Sequence, residues 1–127
     1  MSDQSITRES ITLLVDQFYS EVRSDPLLQP IFAKVIGDNW TPHLERMVDF
    51  WSTVMLGTRE FQGNVYGKHM ALAGIEPEYF SRWLALFEKT VDALFDDPDA
   101  TEFITVAHRI AASLQIGFFG SVATSQR

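Results

Sequence analysis

Apolar residues recur at three- and four-residue steps through four long stretches of this chain, and no stretch alternates with period two for long enough to make a strand. The first stripe, between Ser10 and Arg23, is Ile11, Leu14, Val15, Phe18, Tyr19 and Val22. The second, from about Asn39 to Leu56, is Trp40, Leu44, Met47, Val48, Trp51, Val54 and Met55, with Gly57 as a C-terminal stop. Glu76-Pro77 opens a third, with Phe80, Trp83, Leu84, Phe87, Val91, Leu94 and Phe95 as its buried face and Asp97-Pro98 as its end. A fourth, from about Asp99 to Phe118, carries Phe103, Ile104, Ala107, Ile110, Ala111 and Leu114. Each stripe is one face of a helix, so the spacing predicts an all-α fold.

The connecting pieces are short. Asp25-Pro26 reads as a helix start, because the carboxylate can accept from free N–H groups while proline presets the first-turn dihedral. A short helix bearing Leu27, Leu28, Ile31 and Phe32 is expected after it. Residues 58–74 hold Gly63, Gly67 and Gly74 with weak periodicity, which predicts a loop with a short helix around Val65–Leu72. The tail SVATSQR is expected to fray.

A length of 127 residues fits one domain, spanning 1–127 with an ordered core at about 6–119. The ten Phe, three Trp and three Tyr give ample apolar surface, enough to suit a pocket that encloses a flat apolar cofactor as well as a core. The absence of cysteine excludes disulfides, thiolate metal sites, thiol catalysis and covalent c-type haem attachment. A net charge of −7 argues against nucleic-acid or anionic-membrane partners. The first ten residues lack the basic start and apolar run of a secretory signal, and no apolar run approaches the roughly 20 residues of a membrane span, so a cytoplasmic location is expected.

Three histidines occur, His43, His69 and His108. No H-E-x-x-H or E-x-x-H motif accompanies them, which disfavours a conventional zinc or di-iron cage. A haem asks for less, since the porphyrin supplies four nitrogen ligands and the protein need add only one imidazole. Taken alone, however, a histidine in an irregular loop such as His69 is more often a solvated or locally hydrogen-bonded residue than a ligand.

The runs QFYSEVRSDPLLQPIF (17–32), WTPHLERMVDFW (40–51), GNVYGKHM (63–70) and FSRWLALF (80–87), in this order and spacing, resemble the group III truncated haemoglobins over nearly the whole chain. The resemblance implies a shortened globin fold of two helices stacked over two, with non-covalent haem b between the helix at 39–56 and the segment around His69. His69 matches the proximal histidine that binds iron. Tyr19 matches the distal tyrosine and Trp83 the tryptophan that adds a second N–H donor. His43 matches the distal-side histidine, with Met47 and Trp51 further along its stripe over the haem face.

Phe32 resembles the phenylalanine that stacks on the porphyrin, and Phe87 is counted among the cofactor contacts. Arg46 is either a haem-propionate partner or a solvated surface arginine, Lys68 is a weaker propionate candidate, and His108 matches no ligand. The function implied by the resemblance is binding of O2, CO, NO or another small diatomic by ferrous haem. The alternative is a haem enzyme for peroxide reduction or nitric-oxide dioxygenation, fed by an external reductase, with His43 as a proton shuttle of near-neutral pKa. A haem-free interaction bundle would also satisfy the aromatic stripes alone.

Overall fold

The computed structural model of the chain describes residues 5–59, 69, 72 and 74–120. Among the described residues there are four long helices, one short one and no strand: α1 (Arg8–Ser24), the short α2 (Gln29–Ile36), α3 (Trp40–Leu56), α4 (Pro77–Leu94) and α5 (Asp97–Phe119). Most of the short helix expected at 65–72, together with Lys68 and the tail at 121–127, lies outside them; His69 itself is helical.

Local chemistry explains where each helix starts and stops. At α1 a capping box closes the first turn: the Ser10 amide donates to the Thr7 hydroxyl at 3.0 Å, and the Thr7 amide donates to the Ser10 hydroxyl at 2.9 Å. These two bonds start the helix at Arg8, three residues ahead of its first apolar position, Ile11. Asp25 accepts from the amides of Leu27 and Leu28, both at 3.0 Å, as the Asp-Pro pair suggested. The residues it caps form a turn, however, and α2 proper begins only at Gln29 with Pro30 in its first turn. Gly57 ends α3 in the left-handed conformation, φ 73°, which a side chain would disfavour.

The boundary between α4 and α5 corrects the sequence reading. Asp97-Pro98 does not end α4; it lies in the first turn of α5, where proline needs no N–H partner, and the break is the extended pair Phe95 and Asp96. Asp97 and Asp99 then place negative charge at the positive end of α5. Val54 is a second correction: it is 42% exposed, because the buried stripe of α3 runs through Val48, Trp51 and Ser52 and leaves Val54 on the outer side.

Helix α1 packs on α3 and on α4, and α4 packs on α5, so one helix pair stacks over the other. The seam is aromatic. Trp51 stacks on Phe87 with ring centres 5.1 Å apart, Phe87 on Trp83 at 5.4 Å, and Phe18 meets both Phe87 and Trp83 edge-on at 5.2 and 5.3 Å. Such pairs add about 0.5–1.5 kcal/mol each beyond the area they bury. The same stack ties α1, α3 and α4 into a rigid wall, and one side of that wall backs a cavity.

Polar ties cross the same joints. Arg8 meets Asp49 at 2.8 Å and Lys89 meets Glu21 at 3.5 Å, both exposed and worth little. The buried member is Asp25, 8% exposed, which meets Arg82 of α4 at 3.2 Å while holding its two backbone N–H groups. It therefore anchors the end of α1 against the turn of α4 that carries Trp83.

Candidate functional site

The cavity, of about 450 Å³, opens between α2, α3, α4, α5 and His69. That volume lies in the range of small-molecule and cofactor pockets. Its walls are mostly apolar: Phe32 from α2, Met47 and Trp51 from α3, Trp83 from α4 and Leu114 from α5. The polar groups are few, and Tyr19, His43, Arg46, His69 and Tyr79 carry most of them. Of the residues singled out in the sequence and described in the structure, Tyr19, Phe32, His43, Arg46, Met47, Trp51, His69 and Trp83 all line this one cavity.

Helical spacing explains the grouping on α3. His43, Met47 and Trp51 are four residues apart and fall on one face, while Arg46, exposed, stands at the edge of that face and of the cavity. Tyr19 is only 6% exposed on the buried face of α1, edge-on to the His43 ring at 5.2 Å between centres. His69 is half-buried, and its carbonyl accepts from the Leu72 amide at 2.9 Å.

Burial pushes the Tyr19 phenol well above its ordinary pKa, and a hydrogen bond with Trp83 pulls back only in part. The phenol is protonated at any physiological pH. An indole nitrogen can only donate, so in that bond the tyrosine oxygen accepts and its own proton stays available to a third group. Trp83 therefore orients Tyr19 here, besides contributing its ring to the wall.

His43 is the second perturbed group. Its pKa falls to about 4, first because burial penalises the charged ring and then because Arg46 and His69 repel a second positive charge. The near-neutral value expected for a proton-shuttling His43 is thus not found; the ring is neutral at pH 7. Its Nε2 is buried and meets no hydrogen-bond partner among the described residues, an arrangement that costs free energy unless a further molecule supplies the partner.

The low pKa also makes the stability of the haem-free chain depend on pH. A folded-state value of about 4 against 6.5 for a free imidazole means that the unfolded chain binds the extra proton first. The contribution of His43 to stability is fully present above about pH 6.5 and is lost as the pH falls toward 4. Urea unfolding of the haem-free chain should show this loss, and His43→Leu should flatten the slope in that window.

Three comparisons with known proteins bear on what the cavity is for. The profile of the bacterial-like globin family matches residues 6–115. The group 3 truncated haemoglobin ctb of Campylobacter jejuni is 32% identical over 118 residues, covering 91% of this chain and 93% of that one. The crystal structure of a group III truncated haemoglobin from Campylobacter jejuni superposes with a TM-score of 0.86 at 32% identity, again over 91% and 93% of the two chains. The chain belongs to the group III truncated haemoglobins. Membership makes it a haem-binding globin with the two-over-two helical fold.

The residues of this truncated haemoglobin fit the cofactor that its family implies. A flat macrocycle needs an apolar slot, and the lining supplies one; the orphaned Nε2 of His43 marks a buried polar atom that expects company there. Phe87 differs from the reading of it as a cofactor contact: at 1% exposure it is sandwiched between Trp51 and Trp83 one layer behind the lining, because those two larger rings occupy the cavity side. Several lining residues escaped the sequence reading as pocket residues, notably Tyr79, Ile75 and the α5 residues Ile110 and Phe118. Only Tyr79, a tyrosine one residue before Phe80, carried a polar signal that could have marked it.

Among the described residues no helix is long and apolar enough to cross a membrane.

Proposed function

We propose that the chain is a single globin domain that holds haem b non-covalently, with His69 as the iron ligand, and binds O2 or another small diatomic beside Tyr19. The observation that carries the reading is the one apolar cavity lined at once by His69, by the neutral His43 and by the always-protonated Tyr19. Haem would supply an iron atom that takes up O2, CO or NO reversibly, and of these ligands O2 would gain more than CO from a hydrogen-bond donor beside it.

The protein's own part is to bind, orient and exclude water. Met47, Trp51 and Phe32 offer apolar faces to the macrocycle, and Arg46 at the rim offers a guanidinium to a carboxylate on its edge. Tyr19, with its oxygen already accepting from Trp83, donates its proton to the diatomic ligand. His43 stays uncharged and closes the same side of the pocket. An imidazole held near pKa 4 takes up a proton poorly at neutral pH, and this favours reversible binding over peroxide reduction or nitric-oxide dioxygenation, in which His43 would move protons for turnover with an outside reductase.

Titrating haemin into the haem-free protein tests the reading. Uptake should saturate at a single haem per chain, and the reduced product should take up both CO and O2 with sharp changes in its visible spectrum. A chain that leaves haemin free in solution at micromolar concentration would contradict it.

A further inference from the structure

His43 is unusual in how its ring is held. Its buried Nε2 has no hydrogen-bond partner among the described residues, and what is seen to hold the imidazole there is its ring contacts. Tyr19 stands edge-on to it at 5.2 Å and 87°, and Trp40 stands edge-on at 5.7 Å and 87°. Trp40 is half-buried at the first position of α3, three residues before His43, so the two rings share one side of the helix.

Trp40 does not line the cavity; it forms the layer behind it. It also meets Tyr19 at 6.0 Å and lies nearly parallel to Phe32 at 6.4 Å and 18°. Its remaining face is covered by Arg23, whose guanidinium carbon is 4.5 Å from the ring centre. A planar cation over an indole face is attracted by the negative charge there and stacks well. Arg23 and Tyr19 are four residues apart on α1, one turn, so this single helix reaches the tryptophan–histidine pair with a phenol and with a guanidinium from one face. Beside this bracket, Asp16, Ser20, Arg23 and Leu44 line a small polar cleft that also touches Tyr19.

We propose that Trp40, clamped by Arg23, is a positioning residue that sets the orientation of the His43 imidazole and the seat of the Tyr19 ring, and so tunes ligand release. The inference rests on the reading that Tyr19 and His43 face the diatomic ligand. Arg23 itself is exposed and is not among the described residues that line the cavity; its cation–π contact is with the Trp40 ring, and its effect on the pocket is assigned to that contact.

The test uses the full haem-loaded chain and two variants, Arg23→Ala and Arg23→Lys. Two readouts on the reduced, CO-bound protein report orientation rather than fold: the infrared C–O stretching band, and nuclear Overhauser contacts between the Trp40 and His43 ring protons. Arg23→Ala should weaken those contacts, split or broaden the C–O band, and change the O2 release rate roughly two- to fivefold, as the loss of an exposed cation–π contact allows. Arg23→Lys keeps a cation over the ring and should stay close to the parent on every readout.

An unchanged C–O band together with unchanged ring contacts in Arg23→Ala overturns the inference. Trp40→Phe provides a second check, since its smaller ring should give the same split band even with Arg23 present. The two levels of failure are distinct: if Tyr19→Phe leaves O2 release unaltered, the pocket reading fails, while the ring contacts still decide whether Arg23 and Trp40 hold His43.

Discussion

Tyr19→Phe should release O2 about ten- to a hundredfold faster than the parent chain while changing CO release by less than about threefold, because a hydrogen bond to a charged acceptor is worth about 1.5–3 kcal/mol and CO gathers little charge. The substitution removes one hydroxyl and keeps the ring, so the edge contacts with Phe18, Phe32 and His43 survive and the fold should be intact. Burial keeps the phenol protonated, and Trp83 occupies its oxygen, which leaves the phenolic proton available for the proposed bond to the ligand. Stopped-flow displacement of O2 by CO measures the first rate, and displacement of CO by NO measures the second. Equal O2 rates in the two proteins would remove the phenol from the ligand's surroundings, and a parallel rise in CO release would point to a loosened pocket instead of a lost donor.

The helices were legible because their signals are local. Gly57 and Pro77 mark boundaries through backbone geometry that needs no partner, and the structure puts a left-handed glycine and a first-turn proline there. Asp97-Pro98 misled for a related reason: the same dipeptide can come after one helix or open the next, and only the two-residue gap at Phe95 and Asp96 decides. Val54 shows the limit of a wide apolar stripe, whose edge falls outside the contact with α1.

The site was less legible, because a pocket wall and a core have the same hydrophobicity. Ile110 and Leu114 on α5 read as ordinary core positions, yet both line the cavity, while Phe87, with the same spacing, lies behind it. Long-range placement also sets the chemistry of His43. Its low pKa comes from burial and from Arg46 and His69, and only Arg46 is near it in sequence. The contact of Arg23 with Trp40 joins α1 to α3 across the intervening α2, where no periodicity could have indicated it.

The largest effect expected of any single change belongs to His69. It is half-buried on the cavity wall, close enough to His43 to contribute to the lowering of that ring's pKa, and its backbone carbonyl is already engaged by the Leu72 amide. His69→Gly keeps the apolar lining and the polar groups around Tyr19 but removes the only side chain assigned to the iron. Haem retention should then weaken about a hundredfold or more, equivalent to a ligand bond worth about 3 kcal/mol. Met47, Trp51 and Phe32 would still give a loose apolar slot, so some haem should enter without its native spectrum.

Imidazole added from outside fills the space the side chain leaves and supplies the same nitrogen. The most direct measurement is therefore the visible spectrum of reduced, haem-loaded His69→Gly before and after titration with imidazole. Iron ligation by His69 predicts a spectrum unlike the parent's that returns to it as imidazole binds; a variant that shows the parent spectrum with no imidazole present would contradict it.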